Sequence, residues 1–226
     1  IVVDKSLTIT GPGKDDLTIS GGFGIGLLST TGAVTVEISG MTFTQGQNSA
    51  INVNQDGSLT IVGCRFENNS SPNSGGAITV FSNAALTVNR CEFLGNTATN
   101  VDGGAIFVSS MGEATIANSI FTQNTAAFGG GAIATISGSL TLINNTIFNN
   151  SSQFADKAFG GGVNGRGSND QMWLYNNIIF NNPNGNGESN NRFNGLQEAR
   201  NNLIDTMLIA PFITDGTDGN KVGVAY

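Results

Sequence analysis

The sequence predicts an all-β protein in which short parallel strands coil into a stacked solenoid. Three observations support this fold. First, 38% of the 226 residues are hydrophobic and 14 are phenylalanine, so the chain can form a packed core despite its 32 glycines. Second, an apolar block that ends in phenylalanine or isoleucine recurs at similar intervals. Third, a block of the type Gly-Gly-Ala-Ile recurs between the apolar blocks, and such internal repetition is typical of solenoids.

The apolar block has the chemistry of two short strands. In residues 86–93, Leu86 and Val88 alternate with polar residues, and so do Cys91 and Phe93, with one offset that marks a bend. Alignment on the final residue places six such blocks in register. They are residues 36–43, 59–66, 86–93, 114–121, 140–147 and 172–179, and they end at Phe43, Phe66, Phe93, Phe121, Ile147 and Ile179.

Asparagine and glycine recur where a solenoid would turn its corners. A Gly-Gly pair permits a tight corner, and asparagine tolerates left-handed backbone and can hydrogen-bond along a stack of its own kind. A period of about 27 residues accommodates about three strands per turn. We therefore predict a buried stack of Phe66, Phe93 and Phe121 and a ladder of asparagines. The residues three positions after each block are Gly46, Asn69, Asn96, Asn124, Asn150 and Asn182.

The combination of Phe66-x-x-Asn69, Phe93-x-x-Asn96 and Gly-Gly-Ala-Ile resembles the repeat of polymorphic outer membrane proteins. That repeat belongs to the right-handed parallel β-helix, or pectin-lyase-like, architecture. Residues 3–22 are similar to the first rungs of bacterial surface β-helix proteins, and residues 218–226 resemble a short closing segment. The resemblance implies a right-handed parallel β-helix, secretion and often adhesion. It implies no catalytic residues.

We expect one domain, residues 1–226, with about seven to eight turns of the coil, which we call rungs. Residues 1–35 would form irregular N-terminal rungs, and 36–182 the regular repeats. Residues 183–226 would hold a polar insertion and a closing segment. We also expect lateral loops at 151–171 and 183–202, which leave open a binding site outside the repeats. Because the chain starts at Ile1 without a signal-like segment, we interpret it as a portion of a longer protein.

Charge and composition argue against several functions. A net charge of −7 with only nine Lys and Arg residues does not suit nucleic-acid binding. No apolar stretch is long enough for a membrane-spanning helix. The chain has no histidine, and no register position carries acids on two consecutive rungs. We therefore predict neither an enzyme nor a cofactor. Asp102 illustrates this, because the matching positions on the other rungs are Gln47, Ser74, Gly129 and Phe159.

The sequence is best interpreted as a non-catalytic, extracellular or cell-surface module associated with the outer membrane. It would serve as a stalk or adhesive passenger segment of a larger bacterial protein, with a host or cell-surface glycan or protein as its partner. One alternative is a polysaccharide lyase or glycoside hydrolase of the pectin-lyase-like type, which by resemblance would need carboxylates on adjacent rungs. A second alternative is a subunit of an end-to-end filament, because a β-helix offers open strand edges unless it is capped.

Three local hypotheses concern individual residues. Asp215, Asp218 and Asn220 lie within six residues of one another, and their oxygens are candidate calcium ligands, although an ordinary acidic turn also explains them. We expect Arg65 and Glu92 to form a cross-strand pair on the outer face of neighbouring rungs. Finally, Cys64 and Cys91 occupy equivalent positions one rung apart, so we predict two adjacent, inward, reduced thiols, with a disulfide as the alternative.

Overall fold

The chain forms the predicted right-handed parallel β-helix, with about seven turns. A computed structural model describes residues 1–22, 26–156, 159–189, 191–205, 213 and 215–223. Four sheets run along the rod, and every pairing between their strands is parallel. Each rung contributes one strand to each of three long sheets. This arrangement pairs the backbone of a strand with the rungs on either side of it.

Two of the long sheets have eight strands each in the part of the chain that the structure describes. Sheet 1 consists of Val2–Val3, Leu28–Thr30, Ile51–Val53, Ile78–Val80, Ile106–Val108, Ile133–Thr135, Val163–Gly165 and Arg192–Phe193. Four of its strands begin at the isoleucine of the Ala-Ile block of the repeat. Sheet 2 consists of Leu7–Thr10, Thr35–Ser39, Ser58–Val62, Ala85–Asn89, Glu113–Ala117, Ser139–Ile143, Gln171–Tyr175 and Leu196–Arg200.

Within the described residues, sheet 3 has nine strands and sheet 4 has four short ones. Sheet 3 consists of Thr18–Ser20, Thr42–Thr44, Arg65–Glu67, Glu92–Leu94, Ile120–Thr122, Thr146–Phe148, Ile178–Phe180, Leu203–Ile204 and Lys221–Val222. Sheet 4 consists of Ser70–Ser71, Thr97–Ala98, Thr125–Ala126 and Ser151–Ser152. A single turn of 3₁₀ helix, Thr217–Gly219, precedes the last strand.

The strands extend into the segments that we predicted to be irregular. Val2–Val3 and Leu7–Thr10 pair in register with the following rung. The excursion predicted at 151–171 contains Ser151–Ser152 of sheet 4 and Val163–Gly165 of sheet 1, and the one predicted at 183–202 contains Arg192–Phe193 of sheet 1 and Leu196–Arg200 of sheet 2. Of the predicted closing segment, residues 206–212, 214 and 224–226 lie outside the described part of the chain. No helix among the described residues has the length and apolarity needed to cross a membrane.

The predicted phenylalanine stack is confirmed. The ring centroids of Phe66 and Phe93 are 5.0 Å apart, and those of Phe93 and Phe121 are 4.5 Å apart, with nearly parallel planes. All three side chains are fully buried. Phe43 extends the stack by one ring. The rings follow the strand spacing of about 4.8 Å, because equivalent residues on neighbouring rungs lie directly above one another.

The predicted asparagine ladder is also confirmed, at the corner between sheets 3 and 4. The Oδ1 of Asn124 accepts hydrogen bonds from the backbone N–H and the Nδ2 of Asn96, each at 2.9 Å. Its Nδ2 donates to the carbonyl of Phe93. The same pattern repeats along Asn69, Asn96, Asn124, Asn150 and Asn182. We call these residues the asparagine ladder.

We expected one asparagine per rung both to adopt the left-handed backbone and to hydrogen-bond along the stack, but two neighbouring residues share these roles. The residue before each ladder asparagine has a left-handed backbone, as in Asn68 with φ 54° and Asn149 with φ 54°, and makes the bend. The ladder asparagine then points inward and satisfies buried backbone groups. Glycine also serves at the bending position, because Gly95 has φ 62°.

A second ladder, which we did not predict, follows the corner between sheets 2 and 3. It has the same geometry but changes composition along the rod. The N–H of Cys64 points at the Sγ of Cys91 (3.4 Å), and the N–H of Cys91 donates to the Oγ of Ser119 (3.1 Å). Beyond Ser119 the acceptors are asparagines. We call the whole series the mixed ladder: Cys64, Cys91, Ser119, Asn145, Asn177, Asn202 and Asn220.

Arg65, Glu92 and the two cysteines occupy the positions that we predicted for them. The Nε of Arg65 lies 2.8 Å from Glu92 Oε2 on the outer face of sheet 3, and Lys14 also pairs with Glu92. Burial acts to raise the pKa of Glu92, but the hydrogen bonds and charges of Lys14 and Arg65 outweigh it and lower that pKa. Cys64 and Cys91 are adjacent, buried, free thiols.

Candidate functional site

An open groove of about 530 Å³ lies on the outer face of sheet 1. Its floor is one column of outward side chains from four successive strands. Ser29 is in register with Asn52, Asn52 with Thr79, and Thr79 with Phe107. The column therefore runs parallel to the rod axis over three strand spacings, or about 14 Å.

Turn residues on both sides of the floor form the walls of the groove. The chain enters sheet 1 along one wall and leaves it along the other. The entering wall consists of Asn48, Ser49, Ser71, Asn73 and Ser74, and the leaving wall of Asn54, Phe81 and Ser109. Because equivalent turns stack from rung to rung, residues distant in sequence line the same groove.

The groove owes two of its polar side chains to a departure from the repeat. Residues 48–51 read Asn-Ser-Ala-Ile where the next three rungs read Gly-Gly-Ala-Ile. Asn48 and Ser49 both have left-handed backbones, with φ 85° and 64°. For a serine this conformation costs of order 1 kcal/mol or more, and such outliers cluster at functional sites. The Oγ of Ser49 makes a 2.9 Å hydrogen bond with the Oγ1 of Thr79 on the floor.

Several polar groups of the groove are available to a ligand. The Nδ2 of Asn52 donates to the carbonyl of Asn48 at 2.9 Å. Within the described part of the chain, the side-chain amides of Asn48 and Asn73 make no hydrogen bond, and both residues are exposed. An amide carries donors and an acceptor side by side. The groove thus offers both kinds of group along its length.

Two phenylalanines give one end of the groove an apolar surface. Phe107 occupies the floor and is half-buried. Phe81 stands on the neighbouring wall with 41% of its surface exposed. An exposed phenylalanine loses favourable burial energy unless a partner covers it. The opposite end, around Ser29, Asn48 and Asn52, is polar.

The electrostatics of the groove are simple, because none of the twelve described residues that line it is ionisable. General acid–base chemistry needs a titratable side chain within hydrogen-bond reach of the reacting group. A pair of carboxylates that could cleave a glycosidic bond is missing from this lining. What the arrangement supplies is hydrogen bonding and aromatic contact.

Asp102, which we singled out from the repeat, is fully buried under the turn beside sheet 1. Its Oδ1 accepts a hydrogen bond from the N–H of Gly129 at 3.0 Å, and its Oδ2 lies 2.7 Å from the Nη2 of Arg166. Burial raises the pKa of Asp102, and the charge of Arg166 and the Gly129 hydrogen bond oppose this rise. Arg166 also lies over the ring of Phe159, 5.4 Å from its centroid. Asp102 therefore anchors turns and does not line the groove.

A second buried acid, Asp170, satisfies backbone groups at the corner between sheets 1 and 2. Its carboxylate accepts hydrogen bonds from the N–H of Gly167 at 2.6 Å and of Gly138 at 3.3 Å. Burial raises the pKa of Asp170 to about 6, although these hydrogen bonds act against the rise. Such a pKa suits proton transfer, but Asp170 too lies outside the groove lining.

The calcium candidates lie at the last rung, and two of them have structural partners. The Oδ1 of Asn220 accepts hydrogen bonds from the N–H and the Nδ2 of Asn202, both at 3.0 Å, and so ends the mixed ladder. The Oδ1 of Asp215 accepts a 3.3 Å hydrogen bond from the N–H of Val222. Asp218 is exposed. Among the described residues no group of three or more His, Cys, Asp or Glu side chains could hold a metal ion. Calcium binding by this turn stays a prediction.

Comparison with protein families supports the geometry. The model of the right-handed beta helix region matches residues 8–222. The chain belongs to this family. Comparison with curated proteins and with solved structures finds no match. Membership of the right-handed beta helix family establishes the fold along almost the whole chain, and the groove must be interpreted from its own residues.

The groove was not predicted from the sequence, although one signal for it was present. The substitution of Asn48-Ser49 for Gly-Gly stood in the aligned repeats. The wall residues Asn73 and Phe81 come from turns, whose lengths vary between rungs. Their positions relative to the floor therefore depend on the folded structure, since the strand register alone does not fix them.

Proposed function

We propose that the chain is a non-catalytic, extracellular or cell-surface module, built from repeats of the polymorphic outer membrane protein type, that contacts a glycan or protein through the groove on sheet 1. The observation that carries this proposal is the lining itself, which is polar, partly aromatic and without any ionisable side chain. In this role the module is a stalk or adhesive passenger segment of a larger bacterial protein. Its localisation would be at the outer membrane surface.

The rival function, cleavage of a polysaccharide, has less support. The two acids with raised pKa values, Asp102 and Asp170, are buried, and both accept hydrogen bonds from backbone N–H groups. The exposed acid Glu113 lines a separate depression with Ser110, Gln171 and other neutral residues, where no second carboxylate contributes. A hydrolase of the usual type needs two carboxyl groups about 5–9.5 Å apart around the substrate.

Incubation of the purified chain with acidic and neutral polysaccharides, with and without calcium, tests this proposal. We expect no new reducing ends and no unsaturated products, together with retention of the chain on an immobilised ligand or on cells. Accumulation of either product would show that the protein is an enzyme. The double variant Asp102→Asn/Asp170→Asn would then show whether these two acids carry the reaction.

A further inference from the structure

We infer that the groove on sheet 1 binds an uncharged oligosaccharide that lies along the rod axis. This inference rests on the proposed function and makes it more specific. It names the ligand as a neutral glycan, in contrast to an acidic glycan or a protein segment. Three properties of the groove support it: its lack of charge, the order of its polar and aromatic groups, and its position on a sheet face.

The lack of charge selects against acidic glycans. A carboxylate or sulfate group on a sugar would have to leave water, and its burial is costly without a cationic partner. Among the described residues that line the groove there is no lysine or arginine to act as this cationic partner. Hydroxyl groups lose much less on desolvation, and the amides of Asn48, Asn52 and Asn73 can replace their hydrogen bonds to water. A neutral sugar is thus compatible with every lining residue.

The order of groups along the groove matches a sugar chain. Each sugar ring carries hydroxyl groups at its rim and a C–H-rich face. The amides of Asn48 and Asn52 at one end suit the hydroxyls, and the aromatic rings of Phe81 and Phe107 at the other end suit the apolar face of a sugar ring. The column has the period of the strands, about 4.8 Å, so an elongated ligand that lies along the rod axis contacts successive rungs. A ligand about 14 Å long fills the column.

The position of the groove disfavours an extended peptide. Peptides usually join a sheet by pairing with a free strand edge. The floor strands Ile51–Val53 and Ile78–Val80 are each paired on both sides, so they offer no edge. A peptide on this face would have to bind through side chains alone. The described lining residues provide two aromatic contacts for apolar side chains of a peptide and no ionic partner for charged ones.

Isothermal titration calorimetry with defined oligosaccharides tests this inference on the intact chain. The neutral probes are cellohexaose, mannohexaose and galactohexaose, and the acidic probes are hexagalacturonate and hyaluronan hexasaccharide. We expect at least one neutral probe to bind, with little dependence on salt, and the acidic probes to bind at least about tenfold more weakly, which corresponds to about 1.4 kcal/mol. Each probe is recovered afterwards and analysed for cleavage.

Two variants locate the binding site. Phe81→Ala should weaken binding of the neutral probe at least about tenfold, and Asn73→Ala should weaken it several-fold. Phe154→Ala is the matched control, because Phe154 is the same residue type with the same 41% exposure but lies outside the groove. It should bind the probe like the parent chain. Circular dichroism and thermal unfolding of all three variants establish that they are folded.

The outcomes separate this inference from the proposed function. Binding of the acidic probes as tight as that of the neutral ones, or no binding of any neutral probe, overturns the inference and leaves a non-catalytic module. The same holds if Phe81→Ala abolishes attachment of the chain to cells while every oligosaccharide fails to bind, because the groove then contacts a protein. An equal effect of Phe81→Ala and Phe154→Ala places the glycan elsewhere and also overturns the inference. Cleaved probes overturn the proposed function itself.

Discussion

The asparagine ladder and the mixed ladder both supply hydrogen-bond acceptors to buried backbone N–H groups at a corner of the coil, but they use different side chains. At each of the two corners a left-handed residue bends the chain, and the next residue points inward. In the asparagine ladder, the side chain of Asn124 accepts two hydrogen bonds through Oδ1 and donates two through Nδ2, to the carbonyl of Phe93 and to the Oδ1 of Asn150. In the mixed ladder, Cys91 offers only a sulfur to the N–H of Cys64, at 3.4 Å. Both corners nevertheless keep their inward residues buried.

The difference shows which requirement is strict. Each corner needs one acceptor directed at the N–H of the preceding rung. This acceptor can be an amide oxygen, a hydroxyl oxygen or a sulfur atom. A buried N–H without an acceptor costs about 1–3 kcal/mol, whereas a weaker acceptor costs less. The asparagine amide donates two hydrogen bonds, whereas the thiol of Cys91 donates weakly to the carbonyl of Asn89 at 3.3 Å, so removal of an asparagine affects more groups than removal of a cysteine. The two ladders should therefore differ in their sensitivity to mutation.

The largest effect is expected for Asn124→Ala in the middle of the asparagine ladder. The substitution deprives the N–H and the Nδ2 of Asn96 of their acceptor and the carbonyl of Phe93 of a donor. With about 1–3 kcal/mol for each buried group left without a partner, we expect a loss of about 4 kcal/mol or more. Chemical denaturation measures this loss.

The control for Asn124→Ala is Asn118→Gly. Asn118 is exposed and has φ 53°, a backbone conformation that glycine adopts without strain. Its substitution should change the free energy of unfolding by less than about 1 kcal/mol. Similar losses for the two variants would mean that the buried hydrogen bonds contribute little and that the comparison between the ladders is wrong.

A slightly smaller effect is expected for Phe93→Ala, which removes the packing that both corners share. Phe93 lies between Phe66 and Phe121 in the stack and is fully buried. Lost burial and the resulting cavity should cost about 3–5 kcal/mol. Phe93→Leu, which keeps most of the volume, should cost clearly less. A loss below about 1 kcal/mol for Phe93→Ala in chemical denaturation would contradict the role of the stack.

The corner between sheets 1 and 2 extends the comparison to pH, because its acceptor is the carboxylate of Asp170. The pKa of Asp170 is about 6 in the folded protein, above the ordinary value of 3.8. For an acid with a raised pKa, the folded state binds the proton more tightly than the unfolded state. The contribution of Asp170 to the free energy of unfolding therefore rises as the pH falls from 7 to 4, by up to about 3 kcal/mol.

Denaturation of the parent chain and of Asp170→Asn at several pH values measures this contribution. The difference in free energy of unfolding between the two proteins should change in favour of the parent chain as the pH falls through 6. Glu92→Gln is the contrasting variant, since the pKa of Glu92 is lowered and its stabilising contribution is lost in acid. A difference between the parent chain and Asp170→Asn that is independent of pH would contradict the raised pKa.

Much of this molecule could be predicted from the sequence, because the solenoid turns sequence period into spatial stacking. Alignment of the repeats was enough to place Phe66, Phe93 and Asn96 in stacks. The mixed ladder was missed because its members differ in type, although Cys64, Cys91 and Ser119 occupy one aligned position. A search for the same residue type on every rung was therefore too strict, because this position requires only a buried hydrogen-bond acceptor.

The groove and the anchoring of the acids could not be predicted for a different reason. Arg166 reaches Asp102 across 64 residues, and Lys14 reaches Glu92 across 78. These contacts depend on how far a turn extends sideways from its rung, and turn length varies in this chain. The repeat fixes the height of a residue along the rod, whereas the turns decide where its side chain lies around the rod.

The smallest effect is expected for Cys91→Ser in the mixed ladder. Serine loses some apolar burial but offers the N–H of Cys64 a stronger acceptor, as Ser119 already does one rung further on. The two changes oppose each other, so the free energy of unfolding should change by less than about 1 kcal/mol.

Burial raises the pKa of Cys91 to about 12, and that of Cys64 is also raised, so neither thiol should react with a disulfide reagent while the protein is folded. After unfolding without reductant, two thiols should react in the parent chain and one in the variant. Rapid reaction of the folded protein would show that the corner opens, and a parent chain without reactive thiols after unfolding would show that a disulfide replaces this part of the ladder.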